Sequence, residues 1–328
     1  KKLFKNGFHY CSGCCLGYNS NFINDKILYN KDYLYDGGLS KQKIDLFKNI
    51  ISYSKNIKIL EIGGGDGFLG REITLKNDNL EYINVDPASQ KGFKTQTKFF
   101  DKFQSKDKYD LIICINVLAH VSSPQKILDK IKKFSHKNTQ FIFSVQSSIL
   151  EIKKGFLDNI YHEHKYYYSP KSFKKLLKKS SFNSNNYYEI NLHGKSILFS
   201  NKEIKFLKKI KNVNKNLILK KDFKKIFFKY KSKIKILENK IKNSKNIVAL
   251  GCAPRSIKLI YDLSLSNQKK ILKIFEPKNS RKIGAILPLN KLKIFKESDT
   301  INDNFTYMWM PYHLDPPKKF KNIFPALT

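Results

Sequence analysis

Ile59-Leu-Glu-Ile-Gly-Gly-Gly-Asp-Gly-Phe-Leu-Gly70 decides the fold. The apolar residues Ile57, Ile59, Leu60 and Ile62 predict a buried parallel strand. Glycines follow at Gly63, Gly64, Gly65 and Gly67, then a helix opens. They permit left-handed backbone and let a ligand approach with no Cβ in the way. A second strand, Leu80 to Val85, ends in Asp86-Pro87, about 20 residues on from the turn. A carboxylate at that strand tip is placed to accept hydrogen bonds from ribose hydroxyls.

Dinucleotide oxidoreductases and S-adenosylmethionine (SAM) methyltransferases share that logic. The turn here reads E-x-G-G-G-D-G rather than G-x-G-x-x-G. Glu61 sits in the strand end, ahead of the glycines. An acid there suits a ligand with a positively charged amino-acid end better than one with a pyrophosphate. SAM is therefore expected ahead of a dinucleotide, with a glycine turn that holds no ligand as the remaining reading.

The chain of 328 residues exceeds one core, so two domains plus attachments are expected. Its 41% hydrophobic and 13% aromatic content is that of a folded, soluble protein. No apolar run approaches the ~20 residues of a membrane span, and no signal-peptide pattern opens the chain. It begins at Lys1 rather than Met, which leaves room for a true N-terminus upstream. The net charge of +36 invites a nucleic-acid reading. Against it, only Arg71, Arg255 and Arg281 of the 63 basic residues are arginine, the residue whose planar fork reads phosphates and bases. The lysines are spread along a chain also rich in Asn and Ile, which points to codon drift more than to selection for an anionic partner. Five cysteines (Cys11, Cys14, Cys15, Cys114, Cys252) and no secretory signal argue for a reducing, cytoplasmic compartment.

In chain order, Cys11-Ser-Gly-Cys14 is half of a tetrahedral zinc site, and its second pair is absent. A tyrosine-rich loop, Tyr29 to Ser40, precedes a helix at about 41–54. Residues 55–200 alternate strand and helix. Strands are expected at Thr95–Phe100, Tyr109–Val117 and Thr139–Val145, and helices at about 123–134 and 170–180. That alternation predicts an α/β, doubly wound parallel sheet with ligands at the carboxyl ends of its strands. Glu61, Asp86, Asp101, Asn116 and His120 all fall at such ends. Asp158-Asn-Ile-Tyr-His-Glu-His164 follows the fifth strand. Its spacing is not H-E-x-x-H, so general acid/base chemistry is a better reading than a metal. Two strands near 186–191 and 195–200 close the domain around His193-Gly-Lys-Ser196. Apolar residues at helical spacing across 202–244 predict long linking helices. Asn246 to Arg255 repeats strand, glycine turn and helix, so a second, smaller domain of the same kind is expected, with Arg255 able to meet a phosphate.

These motifs together resemble the SAM-dependent C-methyltransferases that act on nucleotide-linked 4-keto-deoxysugars. The matching stretches are C-x-x-C at Cys11, E-I-G-G-G-D-G at Glu61, N-V-L-A-H-V at Asn116, I-Y-H-E-H at Ile160, H-G-x-S at His193, G-x-A at Gly251, and Trp309 with His313. The resemblance implies a zinc-binding domain of which 1–40 is a remnant, a class I methyltransferase domain at 41–200, a helical linker at 201–245 and a Rossmann-like domain at 246–328. It implies catalysis by Tyr161, Glu163 and His164, with His164 as base. It places Asn116 and His120 on the substrate side of the cofactor, and a tyrosine, Tyr33 or Tyr35, over the site. Glu61, Gly63, Gly65, Asp86, Asp101 and Asn116 would meet SAM, and Cys11 and Cys14 a structural zinc. The implied partner is a nucleotide-sugar, dTDP-linked. The chain departs from the family at the missing first zinc pair, at Lys195 in H-G-G-S and at Cys252 in the C-terminal turn. A methyltransferase with another small acceptor, or a basic nucleic-acid-binding protein with a decayed site, are the alternative readings.

Overall fold

The computed structural model describes residues 6–30, 32–34, 41–51, 57–75, 79–89, 92–192, 194–215, 218, 221–278, 280–287, 290–297, 302–311, 317–320 and 322–327. The chain forms two compact units. One comprises Phe4–Leu150 and His162–Leu219, the other Glu151–Tyr161 and Lys220–Thr328.

The N-terminal unit opens with β1 (Phe8–Cys11), β2 (Leu16–Asn19) and the single turn α1 (Asp25–Leu28). Alternation follows through α2 (Lys41–Ile51), β3 (Ile57–Ile62), α3 (Phe68–Thr74), β4 (Leu80–Val85), β5 (Thr95–Gln96), β6 (Tyr109–Ile115), α4 (Pro124–Ile131) and β7 (Ser135–Gln146). After α5 (Ser148–Lys153) come β8 (Tyr166–Tyr167), α6 (Pro170–Lys179), β9 (Tyr187–Asn191) and β10 (Lys195–Ser200). The main sheet has seven strands in the order β5-β4-β3-β6-β7-β10-β9. β3 through β7 are parallel, while β10 runs antiparallel to β7 and β9. This is the class I methyltransferase sheet that the sequence predicts.

Side-chain alternation explains why both faces are covered. Leu60, Ile62, Ile112, Cys114, Phe143 and Val145 enter one core with Leu128 and Ile131 of α4 and Phe173 and Leu177 of α6. Ile59, Leu111, Ile113, Ile115 and Ile142 enter the other with Leu46, Phe47 and Ile51 of α2. Each such side chain contributes about 1.5–3 kcal/mol on full burial. The carboxyl ends of β3, β4 and β6 consequently share one edge, and the glycine turn opens there.

Two sequence expectations are corrected, and one feature is new. The strand expected over Thr95–Phe100 is only Thr95–Gln96, because a 3₁₀ turn at Phe100–Lys102 swings Phe100 onto Phe103 (5.8 Å between centroids) and Phe134. No described residue of 202–215 is helical. Ile204 and Leu207 instead pack into the N-terminal unit's core as a bridged irregular segment, Tyr188 pairing with Lys209. The N-terminal hairpin was not anticipated as a strand pair. β1, β2 and β8 form a small three-stranded sheet of their own.

The C-terminal unit carries α7 (Asp222–Lys242), β11 (Ile247–Leu250), α8 (Pro254–Tyr261), α9 (Leu265–Gln268), β12 (Ile271–Glu276), β13 (Ile294–Lys296), β14 (Thr306–Trp309) and β15 (Ile323–Pro325). Its five strands are all parallel, in the order β13-β12-β11-β14-β15. Tyr230, Leu237 and Ile241 of α7 lie against Ile247, Ile271 and Ile274 of that sheet's core.

Gly70 tests the packing of α3 on β4. A Cβ there would lie 2.0 Å from Cε1 of Tyr82, which is 2% exposed and cannot swing away. Gly70→Ala is expected to cost about 1–3 kcal/mol of stability by overpacking, read as a lowered denaturant midpoint at unchanged slope. An unchanged midpoint would mean that α3 does not press on β4 as described.

Candidate active site

Three left-handed glycines, Gly63, Gly65 and Gly67 (φ +71°, +59° and +68°), carry the chain from β3 into α3. Two polar side chains, one on β4 and one at its tip, brace the turn. Asn84 Oδ1 accepts from the Gly64 N–H (3.0 Å), and its Nδ2 donates to the Gly65 carbonyl (2.7 Å). Asp86 accepts from the Gly65 N–H at Oδ2 (2.9 Å) and from the Ala88 N–H at Oδ1 (2.8 Å). Burial holds the Asp86 carboxyl above its usual value, and these N–H groups offset only part of that rise. A carboxylate has about four lone-pair sites, so Asp86 keeps accepting capacity at the strand tip.

Glu61 sits directly beneath the turn, and a Cβ on Gly64 would come within 2.6 Å of its carboxyl carbon. It is 1% exposed. Lys43 Nζ of α2 approaches Oε1 at 2.6 Å, and the Tyr82 hydroxyl donates to Oε2. Burial, then the charge of Glu61, holds the Tyr82 phenol well above its usual range, so it stays a donor. Glu61 thus meets a lysine of its own chain, where the sequence predicts a cationic ligand end. No local pattern reveals Lys43 or Tyr82, whose partner lies 18 and 21 residues away. Asn84 was legible in principle, standing two positions before Asp86 on the same strand.

At the end of β6, Asn116 takes a left-handed φ of +57° and donates its N–H to the Ser144 carbonyl (2.9 Å). Its Oδ1 is buried and has no hydrogen-bond partner. His120 follows on the same loop. Its Nδ1 meets the Tyr29 hydroxyl at 3.0 Å, and a second ring hydrogen bond goes to the Glu163 backbone. Both bonds fit the tautomer protonated at Nε2, with Nδ1 accepting from Tyr29. Burial pushes His120 down to about 4, so its imidazole is neutral near pH 7. Tyr33 donates to Glu163 Oε2 at 2.9 Å. His164 is 1% exposed, edge-on to His120 (4.9 Å) and Tyr167 (5.7 Å). Burial, then Glu163, Asp25 and Asp86, raises the Tyr29 phenol well above its ordinary value.

The loop carrying Glu163 and His164 is held from two sides. Both Lys165 N–H and Tyr166 N–H donate to the Ala119 carbonyl (2.9 and 3.1 Å). The fully buried Lys165 ammonium donates to the Ile23 carbonyl (2.6 Å) and to Asp25. Asp25 and Lys165 escaped the sequence reading, although Lys165 directly follows the H-E-H run. Neutral imidazole, carboxylate and tyrosine hydroxyls in hydrogen-bonded reach of one another can move protons at low cost in charge.

Other predicted residues lie elsewhere. Asp101 is exposed on the 3₁₀ turn, its carbonyl accepting from Lys130 Nζ (2.6 Å). Tyr161 is half-buried and belongs to the C-terminal unit's segment. Tyr35, His193 and His313 lie outside the described residues. Lys195 pairs with Glu189 (3.0 Å) at the surface. Arg255 is committed to the fully buried Asp158 (2.9 Å), where a phosphate contact was expected. Cys11 is exposed and Cys14 half-buried at the β1–β2 turn. The Cys14 backbone N–H holds the Cys11 thiol below its usual value, while burial raises Cys14. Among the described residues, no group of three His, Cys, Asp or Glu side chains forms a metal site, so this pair does not by itself fit a zinc ion.

Two outcomes follow from these contacts. Lys43→Met leaves the Glu61 carboxylate buried and unpaired, a loss of about 3–5 kcal/mol. Adding Glu61→Gln restores most of it, and denaturant melts of both variants check this. His120 binds a proton less readily folded (about 4) than unfolded (6.5). Its contribution is therefore whole above about pH 6.5 and is lost as pH falls toward 4. The fall in Tm over that window is expected to be shallower in His120→Asn than in the parent. Equal slopes would show that His120 is not the depressed group.

A family model described as a methyltransferase domain matches residues 36–185. The ubiquinone biosynthesis O-methyltransferases of two Rickettsia bellii strains are each 27% identical over 128 residues, covering 35% of this chain and 50% of theirs. The chain spans about half the length of the curated relatives it matches. Among solved structures, a SAM-dependent methyltransferase from Clostridium acetobutylicum is similar at 12% identity and TM-score 0.37, over 52% of this chain and 92% of that one. The plantazolicin methyltransferase BpumL, solved with SAH, gives 12% identity and TM-score 0.37 over 47% and 67%. Over residues 36–185, the chain carries a methyltransferase domain.

Proposed function

We propose that this protein is a SAM-dependent methyltransferase that acts at the carbon next to the ketone of an NDP-4-keto-deoxysugar, with dTDP as the nucleotide. Support comes chiefly from one observation: the His120, Glu163 and His164 cluster stands on the loops after β6 and β7, the strand ends beside the glycine turn. The domain limits and the cytoplasmic location expected from the sequence belong to this proposal. Among the described residues, no helix is long and apolar enough to cross a membrane.

The residues present fit SAM. Gly63 and Gly65 open the backbone, Asp86 offers its carboxylate to ribose hydroxyls, and the orphaned Asn116 Oδ1 asks for a donor. Glu61 acts one layer below, by fixing the turn through Lys43 and Tyr82. When bound, SAM supplies a methyl group on a positively charged sulfur.

This chain's residues then have to make carbon nucleophilic. A base removes the proton α to the ketone, and an oxyanion develops on the ketone oxygen. His164 is assigned as the base by the family resemblance. His120, held neutral, is too weak a base for that step, and both its ring nitrogens are engaged by Tyr29 and Glu163. Its role is to aim the Tyr29 hydroxyl. Glu163, fixed by Tyr33, steadies the positive charge that His164 gains. Tyr161 remains assigned with this group by resemblance.

A second reading rests on the Rickettsia relatives, whose printed name is that of an O-methyltransferase. There the acceptor is a hydroxyl, and the same base would remove its proton. A nucleic-acid substrate rests only on the charge of +36.

Calorimetric titration with SAH, beside Asp86→Ala, tests the cofactor. Micromolar binding weakened at least about tenfold in the variant is expected, since Asp86 carries charge-assisted contacts. A folded protein that binds no SAH sinks the proposal. Turnover is then compared on an NDP-4-keto-deoxysugar and a phenolic acceptor. His164→Ala is expected to lower sugar turnover about 10²–10⁴-fold, and turnover left intact would remove His164 from its role.

A further inference from the structure

Lys165 directly follows the H-E-H run and is fully buried, yet the methyl-transfer chemistry makes no use of it. A buried ammonium is tolerable only when it is paired and hydrogen-bonded. Its Nζ donates to the Ile23 carbonyl (2.6 Å) and to Asp25 Oδ1, and it stands 5.6 Å from the centre of the Phe22 ring. All three partners come from the stretch that opens α1, with Asp25 140 residues away in the chain. The backbone of Lys165 makes further ties. Its N–H donates to the Ala119 carbonyl, next to His120 (2.9 Å), and its carbonyl accepts from the Asn19 N–H (2.9 Å). One residue thus joins the H-E-H loop to the β6 loop and to the N-terminal segment.

Its partner Asp25 is a fork. Oδ1 meets Lys165, while Oδ2 accepts from the N–H and the hydroxyl of Ser122 (3.3 and 3.2 Å). Ser122 lies on the β6 loop, two residues beyond His120. A single carboxylate therefore touches both loops of the acid/base cluster. Tyrosines of the same segment repeat that pattern. Tyr29 reaches His120 on the β6 loop (3.0 Å), and Tyr33 reaches Glu163 on the H-E-H loop (2.9 Å). Asp25 and Tyr29 stand at i and i+4 across α1, the Tyr29 N–H closing on the Asp25 carbonyl (2.8 Å), so both side chains share one face. Burial lowers His120 most, and the Lys165 charge lowers it further.

A buried ion pair is a poor device for stability, because an apolar pair of similar volume usually holds a fold as well. What an apolar pair lacks is direction. We infer that Asp25 and Lys165 are positioning residues for the transfer reaction: they lock the β6 loop and the H-E-H loop onto the α1 segment, and so set Tyr29 on His120 and Tyr33 on Glu163. Neither residue is assigned a contact with cofactor or acceptor. The role rests on the proposed function, and it concerns only the acceptor side. The glycine turn is braced separately, by Asn84 and Asp86. Loss of the pair therefore slows turnover and spares the cofactor site.

The test compares the full chain with Lys165→Met and with the double variant Asp25→Leu, Lys165→Met. Denaturant midpoints, SAH affinity by calorimetry, and kcat and KM on an NDP-4-keto-deoxysugar are read for each. Lys165→Met is expected to lower both the midpoint and kcat. The double variant, which leaves no unpaired charge, is expected to recover the midpoint. Its kcat should stay about 10²-fold down, the cost of a misplacement of about 1 Å in a catalytic group. KM and SAH affinity should not change. A second readout needs no turnover. In protein labelled with 15N-histidine, the parent should show His120 fixed as the Nε2–H tautomer, its signal assigned by loss in His120→Asn. The double variant should show that ring averaging between tautomers. A parent that turns over no sugar would strike the proposed function, while the histidine spectrum would still decide the role of the pair. Parent-like kcat in the double variant, SAH affinity falling in step with kcat, or an unchanged His120 spectrum would each overturn it.

Discussion

Glu61 is a carboxylate buried under a glycine turn, and it would be untenable there alone. Removing an unpaired charge from water costs several kcal/mol. Lys43 and Tyr82 make it tolerable, and in doing so they bind α2 and β4 to the end of β3. The turn inherits its shape from this arrangement. Gly64 must be glycine, since Glu61 and Asn84 fill the space that a Cβ would need. Asn84 and Asp86 then fasten the turn's own N–H and carbonyl groups. The site edge is thus built in two layers, a buried charge below and hydrogen-bonded backbone above.

The second half of the site depends on the segment that precedes the sheet. Asp25 takes the Lys165 ammonium on one oxygen and the Ser122 N–H and hydroxyl on the other (3.3 and 3.2 Å). Tyr29 reaches His120 and Tyr33 reaches Glu163 from the same segment. Asn19 N–H donates to the Lys165 carbonyl at 2.9 Å, and β2 pairs with β8. The small sheet is therefore what keeps the H-E-H loop beside the β6 loop, and a thiol pair at its outer turn is incidental to that task.

The sheet was legible in the sequence because its signals are local. Uninterrupted apolar strands, a glycine run and an acid at the next strand tip each occupy a few neighbouring residues, and β3, β4 and β6 fall where those signals put them. That Asp86, Asn116, His120 and the H-E-H loop follow strand ends could be read from the same local signals. What escaped is non-local. Nothing in the pattern around Lys43 says that its amine ends on Glu61, and nothing around Asp25 points to Lys165. The shortened third strand and the irregular 202–215 segment failed for a related cause. Phe100 and Ile204 carry patterns compatible with strand and helix, but the cores that bury them turn the chain first.

Local charge, rather than net charge, decides what the carboxyl edge of the main sheet can hold. The net charge of +36 disfavours a cationic ligand at long range. Charges farther apart than about 8 Å are screened at physiological salt, so the nearest groups decide. At the carboxyl edge of the main sheet those groups include Asp25, Asp86 and Glu163, which together act on Tyr29. The sulfonium and amino group of the proposed cofactor suit that environment. A lysine-rich chain can thus still present an acidic surrounding, because Asp25, Asp86 and Glu163 act together at one sheet edge.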